Sequence, residues 1–315
     1  MARVLVTRRL PEGGLDPLAG HEIVGPNDDD APFTHAQLVA AARDVDAIVC
    51  LLTDVIDDAV LSAGAGRVHV VANVAVGYDN VDVAAAARHG ITVCNTPGVL
   101  DETTADTAFL LVLAASRLAS EAEADVRAGR WRGWGITEHL GRDVHGATLG
   151  LVGYGRIGRA VARRAEGFEM RVLHHARHDT GEPGYVPALD TLLPLVDVVS
   201  LHVPGGPATR HLLDARRLAL LPVHAVVVNT SRGTVVDEAA LADALHGRRL
   251  FAAGLDVYER EPEIHPRLLD APRTVLLPHI GSASEATRVR MAQVATLAVA
   301  TVLSGGHPPN VVSRG

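Results

Sequence analysis

The stretch LGLVGYGRIGRAVARRA, Leu149 to Ala165, changes its hydrophobic rhythm halfway along. An apolar run, Leu149 to Val152, ends at three glycines, after which Ile157, Ala160, Val161 and Ala165 recur at helical spacing. The pattern predicts a strand, a tight turn and a helix. In that context each glycine has its own role. Gly153 permits the turn, Gly155 lets the backbone approach a pyrophosphate, and Gly158 lets the helix pack close to the strand. The helix N-terminus offers unpaired N–H groups and a partial positive charge, and Arg156 beside Ile157 adds a full one. The reading is a dinucleotide cradle; the alternative is a β–α turn that binds nothing.

Outward from this motif, short β-branched runs alternate with Ala-rich helical stretches, the mark of βαβ units and parallel sheets. One set comprises RVLVT (3 to 7), DAIVCLL (46 to 52), VHVVANVAV (68 to 76) and ITVCNT (91 to 96), with a helix over 81 to 89. After NTPG comes DETTADTAFLLVLAASRLASEAEADVRAG, expected to be one long linking helix capped by Asp101. The second set begins at Thr148 and continues through MRVLHHA, VDVVSLHVP, AVVVNTS, AAGLDVY and TVLLPHIG. A last helix, 283 to 303, is expected to return to the first domain, and NDDD at 27 to 30 is expected to be a solvated loop.

Composition narrows the chemistry. With 315 residues and 48% hydrophobic content the chain can build about two cored domains. All 29 basic residues are Arg, so Schiff-base and pyridoxal-phosphate chemistry on lysine is excluded. A net charge of -8 argues against a nucleic-acid partner, and no apolar run approaches the about 18 residues of a membrane span. The N-terminus lacks the layout of a secretory signal, so the cytoplasm is expected; Cys50 and Cys94 read as small buried hydrophobes.

Three pieces lie just beyond apolar runs of the second set: NTSRG with Arg232, LDVYEREP with Glu261 and LLPHIG with His279. Ligands in open parallel sheets bind outside the carboxyl ends of the strands, so the three can converge. Singly they could be an exposed Arg, a surface Glu and one hydrogen-bonded His among 16. Together they could grip a carboxylate, transfer a proton and stabilise an imidazolium.

At this point the chain resembles the D-isomer-specific 2-hydroxyacid dehydrogenases along essentially its whole length. The resemblance rests on NVAVGYDNVD (73 to 82), NTPGVLDETTAD (95 to 106), GATLGLVGYGRIG (146 to 158), LHVPGGPATRHLL (201 to 213), VVVNTSRGTVVDEAAL (226 to 241), AAGLDVYEREP (252 to 262) and LLPHIGSAS (276 to 284). It implies an α/β protein in which a doubly wound Rossmann-type nucleotide domain, 99 to 283, is inserted in a smaller flavodoxin-like substrate domain, 1 to 98 and 284 to 315. It further implies that His279 is the acid/base for the carbonyl oxygen and that Glu261 favours its charged form. Arg232 and the N–H groups of Val76 and Gly77 would hold the substrate carboxylate, with Leu52 facing a small substrate. The cofactor residues by the same resemblance are Thr104, Gly153, Gly155, Arg156, Ile157, Gly158, Arg177, His178, His202, Pro204, Thr209, Thr230, Ser231 and Asp256. The look is closest to glyoxylate/hydroxypyruvate reductases, from CLLTD (50 to 54) and the WRGWG arm (131 to 135), an arm that in this family embraces a partner and so implies a homodimer.

A dinucleotide fold that takes NAD usually carries an acid about 20 residues beyond its first glycine. Here VLHHARHD, Val172 to Asp179, places Ala176 at that point, with Arg177 and His178 next. The expectation is NADP(H) preferred and NAD(H) possible, Arg177 pairing with the 2′-phosphate. Alternatives are a metal on His174, His175 and His178, a ribose contact from Asp179 in a shifted register, or an indifferent loop. Rival functions are a phosphoglycerate dehydrogenase, weakened by the short tail after PPNVV, a formate dehydrogenase, opposed by Glu261, and a dinucleotide-sensing co-repressor of the same fold.

Overall fold

A computed structural model describes residues 1–312, so the last three residues of the expected 284 to 315 segment lie outside it. The chain forms two compact units, Met1–Leu100 with Ala283–Gly315, and Asp101–Ser282.

In the first unit, strands β1 (Arg3–Val6), β2 (Glu22–Val24), β3 (Ala47–Cys50), β4 (Val70–Asn73) and β5 (Thr92–Cys94) form a wholly parallel sheet in the order β2-β1-β3-β4-β5, the flavodoxin-like order. The edge strand β2 has no counterpart in the apolar pattern, because its three residues are exposed or half-buried. Helices α1 (His35–Ala42), α2 (Asp58–Ala63) and α3 (Val83–Arg88) pack a core of residues such as Leu38, Ile48, Val60 and Val71. Each starts on a residue that bonds free N–H groups: Thr34 with Gln37 as a capping box, Asp57, and Asp82. The C-terminal helix, Glu285–Leu303, packs against β3 and β4, and beyond it Val312 N–H donates to Val93 O (2.8 Å). The NDDD loop is less solvated than expected. Asp30 turns inward, pairing with Arg8 (3.3 Å) and accepting from Arg9 N–H (2.7 Å), and the Arg8 hydrogen bond leads in holding its carboxyl below the usual range.

In the second unit, β6 (Thr148–Val152), β7 (Arg171–His175), β8 (Val198–Leu201), β9 (Val226–Asn229), β10 (Ala252–Leu255) and β11 (Thr274–Leu276) are again all parallel, in the order β11-β10-β9-β8-β6-β7. The order reverses at β6, so the glycine turn sits at the switch point. All four residues of β8, β9 and β10 are buried, as both-faces-covered parallel strands require.

The expected single linking helix is two, α4 (Asp101–Ser116) and α5 (Ala119–Arg127). No Gly or Pro marks the break. Leu118 takes a left-handed φ of 54° and buries its side chain in the core beside Ala115 and Val144, so packing overrides helical propensity. Asp101 is the first helical residue rather than the cap, and its carboxylate pairs with Arg156 (3.1 Å). The helix after the glycines, α6 (Arg156–Glu166), packs along α4. Among the described residues no helix is long and apolar enough to cross a membrane.

Candidate active site

The cradle is built by subtraction. Gly153 has φ +95°, and a Cβ there would lie 2.6 Å from the His202 carbonyl oxygen. A Cβ on Gly158 would lie 2.4 Å from Gly153 O, so the helix and turn are in backbone contact. Gly155 differs: its Cβ would meet nothing within 4 Å. It caps α6 without a side chain, leaving the first-turn N–H groups of Arg156 and Ile157 for a ligand. Two glycines close the turn and one opens it, which fits a pyrophosphate. The charge of Arg156 is shared with Asp101.

Around the cradle, His202 is half-buried beyond β8 and its Nε2 lies 2.9 Å from Ser200 Oγ. Burial pushes its imidazole down to about 4, so it is neutral at physiological pH. Pro204 is exposed and its carbonyl accepts from Thr209 Oγ1 (2.7 Å), shaping the loop that follows. Past β9, the N–H and Oγ of Ser231 both donate to Asn229 Oδ1 (3.0 and 2.8 Å), while Thr230 Oγ1 is buried with no protein partner. Thr104 is buried on α4 near Gly281. Asp256, expected beside the cofactor, has both oxygens committed to backbone: it accepts from Ile280 N–H and Gly281 N–H, each at 2.7 Å. Burial raises its carboxyl despite those donors.

The same Asp256 bonds brace the turn that carries His279, a non-glycine residue at φ 56°. His279 Nδ1 lies 2.7 Å from Glu261 Oε2, both side chains about one-quarter exposed. The other oxygen, Glu261 Oε1, accepts from Tyr258 N–H (2.9 Å), and Tyr258 Oη donates to Leu277 O (2.9 Å), joining the two loops. Burial pushes the Glu261 carboxyl up, but His279, Tyr258 N–H and the nearby Arg232 charge outweigh it and hold it below its ordinary value. Arg232 stands beyond β9, its carbonyl held by Asn229 Nδ2 (2.9 Å). The next residue explains how it comes so near: a Cβ on Gly233 would lie 1.8 Å from the Tyr258 carbonyl carbon, so only glycine lets the two loops touch. Sequence reasoning named Arg232, Glu261 and His279 but missed Gly233 and Tyr258. The adjacency of NTSR to a glycine was the available signal.

In the first unit, Leu52 is half-buried in the turn after β3 rather than in the strand. That turn is braced by Asp54, which accepts from Leu51 N–H (2.8 Å) and Thr7 Oγ1 (2.5 Å). After β4, Asn95 Nδ2 donates to Val76 O (2.8 Å) and Asn73 Nδ2 to Gly77 O (2.9 Å). Among the described residues no protein group accepts from the N–H of Val76 or Gly77. Gly77 does not take a left-handed φ, so the turn conformation itself does not require glycine there.

Beyond β7, Ala176, Arg177 and His178 follow the strand end, the last two exposed. His174 does not face a ligand. It is fully buried, stacked on Tyr154 (3.7 Å between centroids, 15°), with Nε2 2.7 Å from Thr180 Oγ1. Tyr154 was not singled out from sequence.

Comparisons with known proteins give the family and the fold. Residues 109–281 match the D-isomer specific 2-hydroxyacid dehydrogenase, NAD binding domain. The chain is 47% identical to a glyoxylate reductase of Korarchaeum cryptofilum, covering 99% of this chain and 96% of that one. It superposes on the TT0316 protein of Thermus thermophilus with a TM-score of 0.93 at 44% identity, over 99% of this chain and 100% of that one. An NADPH-dependent glyoxylate/hydroxypyruvate reductase of Sinorhizobium meliloti, solved with NADP and malonate, aligns with a TM-score of 0.86 at 36% identity, over 99% and 97% of the two chains. With a glycine cradle at the switch point, an Arg, Glu and His at the neighbouring strand ends and relatives matched end to end, this chain belongs to the D-isomer specific 2-hydroxyacid dehydrogenase family.

Proposed function

We propose that this protein reduces small 2-oxo acids, glyoxylate or hydroxypyruvate, to the corresponding 2-hydroxy acids, the D isomer where the product is chiral, preferring NADPH to NADH. The observation that carries the reading is the 2.7 Å contact between His279 Nδ1 and Glu261 Oε2, beside Arg232 and on the same sheet edge as the cradle. The bound cofactor supplies hydride to the substrate carbon. His279 then gives a proton from Nε2 to the carbonyl oxygen, because Nδ1 is held by Glu261. Glu261 stabilises the charged ring before transfer and fixes its orientation. The Arg232 guanidinium binds carboxylate and carbonyl as a planar fork. In the first unit the N–H groups of Val76 and Gly77, to which no described protein group is hydrogen-bonded, are candidate anion donors, with Leu52 a candidate apolar contact.

The NADP preference rests on the end of β7. No acid stands at Ala176, and Arg177 is exposed with no ion pair among the described residues, so a 2′-phosphate meets a free cation and no repulsion. The arm beyond α5 shows Trp131, Trp134, Ile136 and Leu140 at 58%, 82%, 74% and 63% exposure, apolar surface that a second copy would cover in a homodimer. Cytoplasmic residence belongs to the same reading.

The test is turnover: loss of reduced-nicotinamide absorbance on adding glyoxylate or hydroxypyruvate, with NADPH and NADH compared. Tight cofactor binding with no turnover on any 2-oxo acid would replace the enzyme by a dinucleotide sensor.

A further inference from the structure

The chain after β7 makes a loop whose ends are tied together. His174 N–H donates to Gly184 O (2.8 Å) and Val186 N–H to His174 O (2.7 Å), a lone parallel bridge outside the sheet edge. Gly184 makes the closure possible, with φ +88° and a position where a Cβ would lie 2.4 Å from Val172 O. Inside the loop, Thr180 Oγ1 meets His174 Nε2 at 2.7 Å and accepts from Glu182 N–H at 3.3 Å. On its flank, Glu182 pairs with Arg159 of α6 (2.8 Å), whose guanidinium lies over the Tyr154 ring (5.0 Å). Tyr154 in turn stacks on His174, so the loop is fastened to the cradle.

The buried ring also fixes its own tautomer. Among the described residues His174 Nδ1 has no hydrogen-bond partner, and a buried N–H without an acceptor is rarer and costlier than an unused lone pair. The proton therefore sits on Nε2 and is donated to Thr180 Oγ1. Thr180 cannot leave without stranding that donor. The crown that results carries Arg177, His178 and Asp179 all exposed, with Asp179 Oδ1 accepting from Gly181 N–H (2.9 Å). The loop therefore presents two donors, Arg177 and His178, side by side beyond the strand end.

We propose that His174 and Thr180 are positioning residues for cofactor choice: they hold the 176 to 184 loop so that Arg177 and His178 are offered to a 2′-phosphate. This deepens the NADP reading above and rests on it. Neither residue touches the cofactor. Thr180→Val keeps the side-chain shape but strands the His174 N–H, loosening the crown that carries Arg177 and His178.

The experiment is calorimetric titration of the full chain with 2′,5′-ADP and with 5′-AMP, which reads the phosphate contact without turnover. Thr180→Val should weaken 2′,5′-ADP by about tenfold, the loss of a charge-assisted contact, with 5′-AMP unchanged or tighter. Thr180→Ser should restore the wild-type ratio. Equal weakening of both ligands, or an unchanged ratio in Thr180→Val while Arg177→Ala lowers it, would overturn the positioning role alone. Wild-type protein that binds 2′,5′-ADP no tighter than 5′-AMP would overturn the NADP reading and this inference with it.

Discussion

The two ends of the Asp101–Ser282 sheet make sites by opposite means. At the β9 to β11 end, side chains hold one another: His279 on Glu261, Glu261 on Tyr258 N–H, and Asp256 on the turn that carries His279. At the β6 end the useful groups are backbone N–H donors, and the side chains there have been removed at Gly153, Gly155 and Gly158. A proton must be delivered at one atom with one orientation, which needs interlocked side chains. A pyrophosphate needs only closely spaced donors and room, which bare backbone at a helix N-terminus provides.

If the two regions are separable, damage to one should spare the other. His279→Gln should lower kcat for 2-oxo acid reduction by about 10²- to 10⁴-fold while NADPH affinity holds. A parallel fall in cofactor affinity would join the regions. Next in size, Arg232→Lys should cost about ten- to a hundredfold in kcat/KM for the 2-oxo acid, since an ammonium cannot reproduce the guanidinium fork. Cofactor titration should be unmoved, and retained efficiency would remove Arg232 from substrate binding.

Two alanine substitutions sharpen the contrast between glycines. Gly155→Ala meets open space, so Tm should stay near wild type while cofactor affinity falls by about tenfold as the methyl enters the phosphate's approach. Gly233→Ala collides with the Tyr258 carbonyl, so Tm should fall with a loss of about 1–3 kcal/mol of stability. Thermal unfolding alongside NADPH titration separates them, and a reversed order would mean that the two glycines have been given each other's role.

The smallest effect belongs to Glu261→Gln, which keeps the side-chain shape but removes the charge facing His279 Nδ1, so kcat for reduction should fall by a few-fold while NADPH affinity holds. The same carboxylate makes stability depend on pH. The Glu261 carboxyl lies below its ordinary value in the folded chain, so its contribution is present above the usual carboxylate range and lost as pH falls through the folded value. The Gln variant should show a shallower acid loss of Tm, and an unchanged kcat with an unchanged acid loss would break the pairing.

Much of this was legible in the chain. The change of rhythm at Gly153 placed β6 and α6, because a strand, a glycine turn and a helix are each specified by residues within one turn of one another. Arg232, Glu261 and His279 were found because each sits just beyond an apolar strand-like run, and their roles came from the family resemblance. The break at Leu118 was not legible, for nothing in SRLAS resists a helix and only the burial of that leucine turns the chain. Nor was the commitment of Asp256 to Ile280 and Gly281, 24 and 25 residues distant. The tie of His174 to Thr180 was equally hidden, although the two are only six residues apart, since it depends on a loop closed by Gly184.

What the sequence determined by itself was therefore the inventory and its order along the strands: which residues can donate, accept or carry charge, and on which strand end each stands. Periodicity and glycine placement are local properties, and they are written in the chain. What only the tertiary structure decided was pairing. The 2.7 Å contact of His279 with Glu261, the pressing of Gly233 on Tyr258 and the stacking of Tyr154 on His174 join segments from different strand ends. Their geometry follows from parallel register and core packing, in which every strand end is placed by its neighbours rather than by its own residues.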